Sequence, residues 1–260
     1  MTTSLSPRTL GIDSAPPPAV GSIPFSRLVG VEWAKATDTR AARWLLALVA
    51  LSTTAMVLVA VLVPTSFDQT DASYLRVAAL GLTILLPVVA ILVFTGEWSQ
   101  RSVFTTFTQE PRRIRVLNAK LAVSSMLGGA GAVFGGVVTA AGLGLASVSG
   151  RELEADLTVG AITGYLLFVL LNVFAGAALG ALLQSSAVAI ATSFALPAAF
   201  AVLGTTSALV SDWIDTSAPW TWVLENDWAG HVPQISFSVL IWVAVPLTAG
   251  VVRTIRRDVA

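Results

Sequence analysis

The sequence predicts an all-α integral membrane protein with six transmembrane helices. Of its 260 residues, 55% are hydrophobic and only 12% are charged, and the mean hydropathy is +0.80. A soluble globular domain typically has about a quarter of its residues charged. Long apolar runs alternate with short polar segments, and the basic and acidic residues concentrate in alternate segments. We therefore expect a multi-pass protein of the cell (inner) membrane.

Six apolar runs have lengths of 18 to 28 residues, close to or above the roughly 20 residues that cross a hydrocarbon core about 30 Å thick. The sequence predicts spans at residues 44–63, 77–96, 121–148, 157–183, 187–210 and 235–252, none of which contains Asp, Glu, Lys, Arg or His. Pro87, Pro197 and Pro246 lie inside three of these spans. Neighbouring helices can satisfy the backbone groups that proline frees, so kinks are permitted there.

The segments outside the spans are polar. Residues 1–24 are rich in Ser, Thr, Pro and Gly, which is typical of a disordered tail, and we expect this tail and residues 254–260 to be cytoplasmic. Residues 25–43 mix apolar and charged side chains, a composition that favours a helix lying along the membrane surface. A charged segment that merely precedes the first span is the alternative.

The distribution of charge predicts the orientation. With the N-terminus inside, 13 of the 15 basic residues lie in cytoplasmic segments, and only Arg76 and Arg151 lie outside. The outer segments hold nine of the 15 acidic residues, so the two faces sum to +7 and −7. Because Lys and Arg are retained on the cytoplasmic side, both termini are predicted to be cytoplasmic.

Small residues in the third and fourth spans indicate close helix packing. The fourth span contains Gly160-x-x-x-Gly164 and Gly176-x-x-x-Gly180, which place small residues on one helix face. The partner helix could belong to the same chain or to a second protomer. Asn172, in the same span, is either a residue that hydrogen bonds between helices or a substrate contact, and it joins Pro87 and Pro197 as a candidate for the pathway.

The outer segment between spans five and six is rich in tryptophan. Indole rings prefer the headgroup level, so residues 211–234 are predicted to lie at the interface or to re-enter the membrane. The segment could form an outer gate or an aromatic anchor. Its single histidine, His231, has no clear set of companion ligands, so no metal is expected. The tryptophans are Trp213, Trp220, Trp222 and Trp228.

The chain lacks residue patterns for energy coupling or catalysis. Its two lysines, Lys35 and Lys120, do not follow glycine, which excludes a phosphate-binding Gly-x-x-x-x-Gly-Lys-[Ser/Thr] loop. The predicted spans have none of the carboxylates or histidines that ion-coupled carriers place in the membrane. We therefore expect a protein that is not an enzyme, binds no cofactor and receives its energy from another subunit.

The charged segment between spans two and three resembles the corresponding part of a known transporter family. Gly96-Glu97 closes the second span, and Arg101, Thr105-Thr106-Phe107, Pro111, Arg112 and Ala119-Lys120 follow before the third. Glu32-Trp33-x-Lys35 precedes the first span. Together these residues resemble the membrane subunits of type-2 ATP-binding-cassette (ABC) exporters.

The resemblance implies an architecture, partners and site residues. Residues 25–43 would be an elbow helix containing Glu32, Trp33 and Lys35. The segment between spans two and three would form a short cytoplasmic coupling helix that docks on the ATPase subunit. Two cytoplasmic ATPase subunits would hold ATP and Mg, and a second identical or homologous permease would complete the unit among membrane lipids, without nucleic acid. The implied coupling residues are Glu97, Arg101, Phe104, Thr106, Phe107 and Arg112.

The implied activity is the export of an amphipathic or lipid-like substrate, such as a drug, lipid, peptide or glycolipid. The spans that line its route would be free of charge, which suits an amphipathic cargo. Two alternatives stay open: a secondary carrier or channel, and a membrane scaffold that transports nothing. For the segment between spans two and three, the alternative is a solvated amphipathic loop without a partner.

Overall fold

The computed structural model describes residues 23–99, 110 and 112–256. Within them the chain is mostly helical with short connecting segments, and the described residues form no strand, only an isolated bridge between Thr70 and Glu154. Of the predicted tails at residues 1–24 and 254–260, residues 1–22 and 257–260 lie outside the described residues, and residues 254–256 belong to the last helix. Arg101, Phe104, Thr106 and Phe107 of the predicted coupling helix also lie outside the described residues. The helices are α1 (Phe25–Thr37), α2 (Arg40–Leu62), α3 (Asp71–Ser99), α4 (Arg113–Val148), α5 (Val159–Leu183), α6 (Ser186–Gly204), α7 (Ser217–Leu224), α8 (Val232–Val239) and α9 (Val245–Arg256).

Six helices in the described part of the chain are long and apolar enough to cross a membrane. Five of them are α2 to α6, and the sixth runs without interruption from α8 to α9 through a π-helical turn at Leu240–Ala244. The prediction of an all-α chain with six spanning helices is confirmed at this level.

Four of the six spanning helices are longer than the apolar runs that predicted them, whereas α5 and α6 are shorter. The second spanning helix, α3, starts at Asp71 and ends at Ser99, and α4 starts at Arg113 rather than near residue 121. Backbone hydrogen bonding continues into polar sequence, whereas hydropathy marks only the apolar length. Consequently Glu97 and Lys120 lie inside helices instead of in a loop.

The predicted surface helix at residues 25–43 consists of two elements. Helix α1 ends at Thr37, and α2 begins after Thr39, whose Oγ1 accepts a hydrogen bond from the Ala42 N–H at 3.1 Å. A threonine at this position satisfies one of the free N–H groups of the first turn and so starts a new helix. Arg40 and Arg43 therefore belong to the first spanning helix.

The spanning helices alternate in direction, so their ends form two layers. In one layer, Ser186 at the start of α6 contacts Ser99 at the end of α3 (2.8 Å), and Arg113 of α4 contacts Thr254 of α9 (2.8 Å). This layer also contains α1 and most of the described Lys and Arg residues, and we term it the basic end. At the opposite, acidic end, the Asp71 side chain accepts from the Asp156 N–H at 2.8 Å.

Helix α3 is the centre of the bundle. Two thirds (67%) of its most apolar window is buried, compared with 6% for α6, because α2, α4, α5 and α6 all pack on α3. On α5, Gly176 and Gly180 lie against the α3 backbone at Pro87 and Ile91, and Gly164 lies against the Val223 carbonyl. The small residues of α5 therefore bring helices of the same chain close together.

The tryptophan-rich segment folds back onto the bundle at the acidic end. Helix α7 packs on α5, and the buried Trp220 Nε1 donates a hydrogen bond to Ser238 Oγ at 3.0 Å. Trp222 stacks on His231, with ring centroids 3.9 Å apart, while Trp213 is 37% exposed and meets Phe237 edge-on. Trp220 is thus a core residue, whereas Trp213 lies at the surface.

Candidate functional site

Four charged side chains form a closed ring at the basic end. Lys35 Nζ donates to Glu32 Oε1 (2.6 Å) and to Glu97 Oε1 (2.7 Å). Lys120 Nζ donates to Glu32 Oε2 (2.7 Å) and lies 3.3 Å from Glu97 Oε2. Each of the four carboxylate oxygens thus has its own lysine contact. We call these four residues the ion ring.

Three helices supply the ion ring. Glu32 and Lys35 lie one turn apart on α1, Glu97 lies in the last turn of α3, and Lys120 lies near the start of α4. Lys120 Nζ also donates to the Val93 carbonyl at 2.9 Å, so the ammonium group makes two hydrogen bonds in addition to its ion pair with Glu97. The ring therefore ties α1 to the two helices that flank residues 100–112.

Burial makes the pairing in the ion ring obligatory. The Lys120 and Glu32 side chains are only 4% and 5% exposed, whereas Lys35 is 43% exposed. Unpaired charges in such an environment would be costly, but two carboxylates and two ammonium groups sum to zero. Although partial burial opposes ionisation of Lys35, its contacts with Glu32 and Glu97 outweigh that effect and raise its pKa above the ordinary value.

A cavity of about 310 Å³ adjoins the ion ring. One wall is apolar, with Leu45 of α2 and Val89 and Leu92 of α3, and all four ring residues form part of the lining. The half-exposed Lys35 lies at this cavity, so the ring has a solvent-accessible side and a sealed side around Lys120.

Comparison with protein families, curated proteins and solved structures gave no match. The physical arrangement of the side chains therefore has to support any functional assignment.

Further polar contacts brace the basic end around the predicted coupling segment. Arg115 forms a salt bridge with Glu110 (2.6 Å) and donates to the Ile23 carbonyl before α1. Arg113 donates to the carbonyl of Thr254 (2.8 Å), and Arg253 donates to that of Leu182 (2.7 Å). Thr254 and Leu182 lie at helix C-termini, where carbonyls lack helical partners. Arg113 and Arg253 therefore satisfy these carbonyls, and their positive charges interact favourably with the helix dipoles.

Of the residues predicted to couple to a partner, Glu97 and Arg112 are described. The Glu97 carboxylate is buried in the ion ring, and the Arg112 N–H donates to Glu110 Oε1 at 3.3 Å. Of the predicted elbow residues, Glu32 and Lys35 are also ring members, and Trp33 packs against the hydrophobic core. The structure thus joins residues from the two separate motif segments.

The three residues named as pathway candidates line one cavity. Pro87 of α3, Asn172 of α5 and Pro197 of α6 surround a space of about 200 Å³ among the spanning helices. Trp220 of α7 and Trp242, in the π-helical turn before α9, complete the wall towards the acidic end. We call this space the proline cavity.

Sequence reasoning missed the ion ring as a unit. It treated the predicted spans as free of charge and placed Glu97 and Lys120 outside them, whereas both are buried in the helices. One signal was present: Glu32 and Lys35 precede the first predicted span, and Glu97 and Lys120 bound the segment between the second and third spans. Nothing in local spacing indicated that Lys120 pairs with Glu32, 88 residues away.

Proposed function

We propose that this chain is the membrane-spanning permease subunit of an ABC exporter. Separate cytoplasmic subunits would bind and hydrolyse ATP with Mg, and the segment between α3 and α4 would receive their motion. A second permease, identical or homologous, would complete the translocation unit. The cargo would be amphipathic or lipid-like.

The ion ring is the observation that supports this proposal. It fastens α1 to the ends of α3 and α4, the two helices joined by residues 100–112. A push on that segment would therefore move three helix ends together instead of bending a free loop. Because α3 packs on four other spanning helices, the same motion would reach the centre of the bundle.

Charge asymmetry supports the orientation that this mechanism requires. The basic end contains α1, the start of α4 and the end of α9, and it would face the cytoplasm because Lys and Arg are retained there. An ATPase subunit would then have access to residues 97–120, as alternating access driven from inside requires.

Substitution of Phe107 tests the proposed docking of an ATPase subunit. Phe107→Asp would place a charge where an apolar contact is proposed, and Phe107→Leu is the matched control. We expect Phe107→Asp to abolish co-purification of an ATPase that contains a Walker-type loop, along with transport-coupled ATP hydrolysis, while membrane insertion stays normal. A Phe107→Asp protein that still retains its ATPase and exports cargo would refute the docking assignment.

A proton-coupled carrier is a second candidate, because Glu32 and Glu97 are buried carboxylates beside a cavity. Such residues serve as proton relays in carriers. The pairing of all four oxygens with lysine favours a structural connection between the helices. Counterflow driven by a pH gradient in liposomes that contain only this chain would favour the carrier and exclude the ATPase-dependent mechanism.

A further inference from the structure

The proline cavity is lined by two proline residues, each accompanied by the residue four positions earlier. Thr83 and Pro87 on α3 both line it, as do Ser193 and Pro197 on α6. Proline has no N–H, so it leaves the carbonyl of the residue four positions before it without its helical partner. The carbonyls of Thr83 and Ser193 therefore lack their usual donors at residues that line the cavity.

The side-chain donors that α3, α5 and α6 present to the cavity already have partners, and the Thr216 hydroxyl before α7 is the one other hydroxyl among the described lining residues. Thr83 Oγ1 donates to the Leu80 carbonyl (3.0 Å), and Ser193 Oγ donates to the Ile190 carbonyl (2.8 Å). Asn172 Nδ2 donates to the Phe168 carbonyl (2.9 Å). Among the described residues, no group donates to Asn172 Oδ1, so this oxygen is a third acceptor without a donor.

The indole N–H groups of the aromatic wall also have hydrogen-bond partners already. Trp220 Nε1 donates to Ser238 Oγ (3.0 Å), and Trp242 Nε1 donates to the Ile214 carbonyl (2.7 Å). The two indoles thus supply apolar surface to the cavity, to which Phe194 of α6 also contributes. No charged residue is among the described residues that line it.

We infer that the proline cavity binds an uncharged amphiphile whose polar group donates hydrogen bonds, such as a hydroxyl or an amide N–H. The carbonyls of Thr83 and Ser193 and Asn172 Oδ1 would accept these bonds, and the aromatic wall would enclose the apolar part. Acceptors in an apolar region gain most from a ligand that brings donors, since unmet polar groups there are costly.

The volume limits what enters. About 200 Å³ is below the roughly 300–1,000 Å³ that encloses a drug-sized ligand. The cavity therefore accommodates the polar end of an amphiphile and the first part of its chain. This inference rests on the proposed function only in treating the ligand as cargo, because binding itself needs no ATPase.

Photolabelling tests the inference on this chain alone, in phosphatidylcholine nanodiscs. The probe is 3-azioctan-1-ol, a photoreactive alcohol, and labelled residues are located by peptide mass spectrometry. We expect labels on the cavity residues of α3, α5 and α6. Excess octan-1-ol should suppress them, and octyl methyl ether, which has the same chain but no donor, should not.

Two variants separate a specific site from general partitioning into lipid. Asn172→Leu removes one acceptor at similar size and should weaken protection by octan-1-ol about fivefold, the equivalent of one hydrogen bond of about 1 kcal/mol. Thr54→Val, on the exposed face of α2, removes a hydroxyl that bonds its own helix and should leave protection unchanged.

Three results would overturn the inference: labels only outside the cavity, equal protection by alcohol and ether, or equal protection in Asn172→Leu and the unaltered protein. Failure of the two proposals is distinguishable. If the cavity is labelled as expected but no ATPase co-purifies with the chain from its native membrane, the cavity assignment stands and the exporter assignment fails. Export by a complex whose cavity takes no label would do the reverse.

Discussion

At the scale of single residues, Lys120 and Lys35 contact the same two carboxylates but differ in burial. Lys120 is 4% exposed and Lys35 is 43% exposed. Lys120→Met would leave Glu32 and Glu97 sharing the Lys35 ammonium group, with no cation on the sealed side, and removal of one partner from a buried ion pair costs about 3–5 kcal/mol. We expect a clearly smaller loss for Lys35→Met, because water can reach its position. Thermal unfolding in detergent measures both.

A double variant tests whether charge imbalance causes the loss of stability in Lys120→Met. Adding Glu32→Gln to Lys120→Met removes one negative charge, so the ring becomes neutral again with one carboxylate and one lysine. This double variant should recover most of the lost stability, since neutral replacements of buried ion pairs are often tolerated. Equal destabilisation by the two lysine variants, with no recovery in the double variant, would contradict the ring as described.

Asp156 should make the stability of the acidic end depend on pH. Burial opposes ionisation of this carboxyl, but hydrogen bonding with the Asp71 side chain, the Ala72 N–H and Thr70, together with the Arg76 charge, lowers its pKa below the ordinary 3.8. A lowered pKa stabilises the fold above 3.8, and this contribution is lost as the pH falls through the folded value. Melting temperatures at pH 5 and pH 2.5 should therefore differ less in Asp156→Asn than in the unaltered protein. An identical acid-induced drop in both would exclude this role.

At the scale of helices, α5 depends on glycine where it crosses α3. A Cβ at Gly176 would collide with the Pro87 carbonyl, a backbone group that cannot rotate away. Gly176→Ala should therefore separate the two helices and destabilise the protein by about 1–3 kcal/mol, the usual cost of overpacking. Gly129→Ala on α4 is the matched control, because a Cβ added there would meet no atom within 4 Å. The thermal unfolding temperature of Gly129→Ala should match that of the unaltered protein. If Gly176→Ala also left it unchanged, the α3–α5 crossing would not be closely packed.

The sequence predicted the number of spanning helices but not where they end or how they pack. Run length and the absence of charge predicted six spans, because a bilayer imposes a minimum apolar length. The same criterion could not place the helix ends, so α3 and α4 continue through Glu97 and Lys120. Pro87, Asn172 and Pro197 were individually named as pathway candidates, but their convergence on one cavity depends on how three helices pack. Likewise, Lys35 and Glu97 are 62 residues apart, and no local pattern specifies their pairing.

At the scale of the whole molecule, the two ends of the bundle differ in charge and in the roles proposed for them. The proposed route for mechanical force begins at the basic end, in the ion ring, and the proline cavity lies farther along the bundle beneath Trp220 and Trp242. An ATPase can act on this arrangement only if the basic end faces the cytoplasm. Orientation is therefore the property on which the exporter proposal depends most directly.

The chain has no cysteine, so single cysteines can report that orientation without background. Ser26 on α1 is exposed at the basic end, and Ser149, just after α4, is exposed at the acidic end. With a membrane-impermeant maleimide, Ser149→Cys should react in intact cells, whereas Ser26→Cys should react only after the membrane is permeabilised. The charge difference of +7 against −7 predicts this pattern because basic segments resist translocation. The reverse pattern would place residues 97–120 outside the cell, where no cytoplasmic ATPase reaches them, and would leave the ion ring as a structural brace alone.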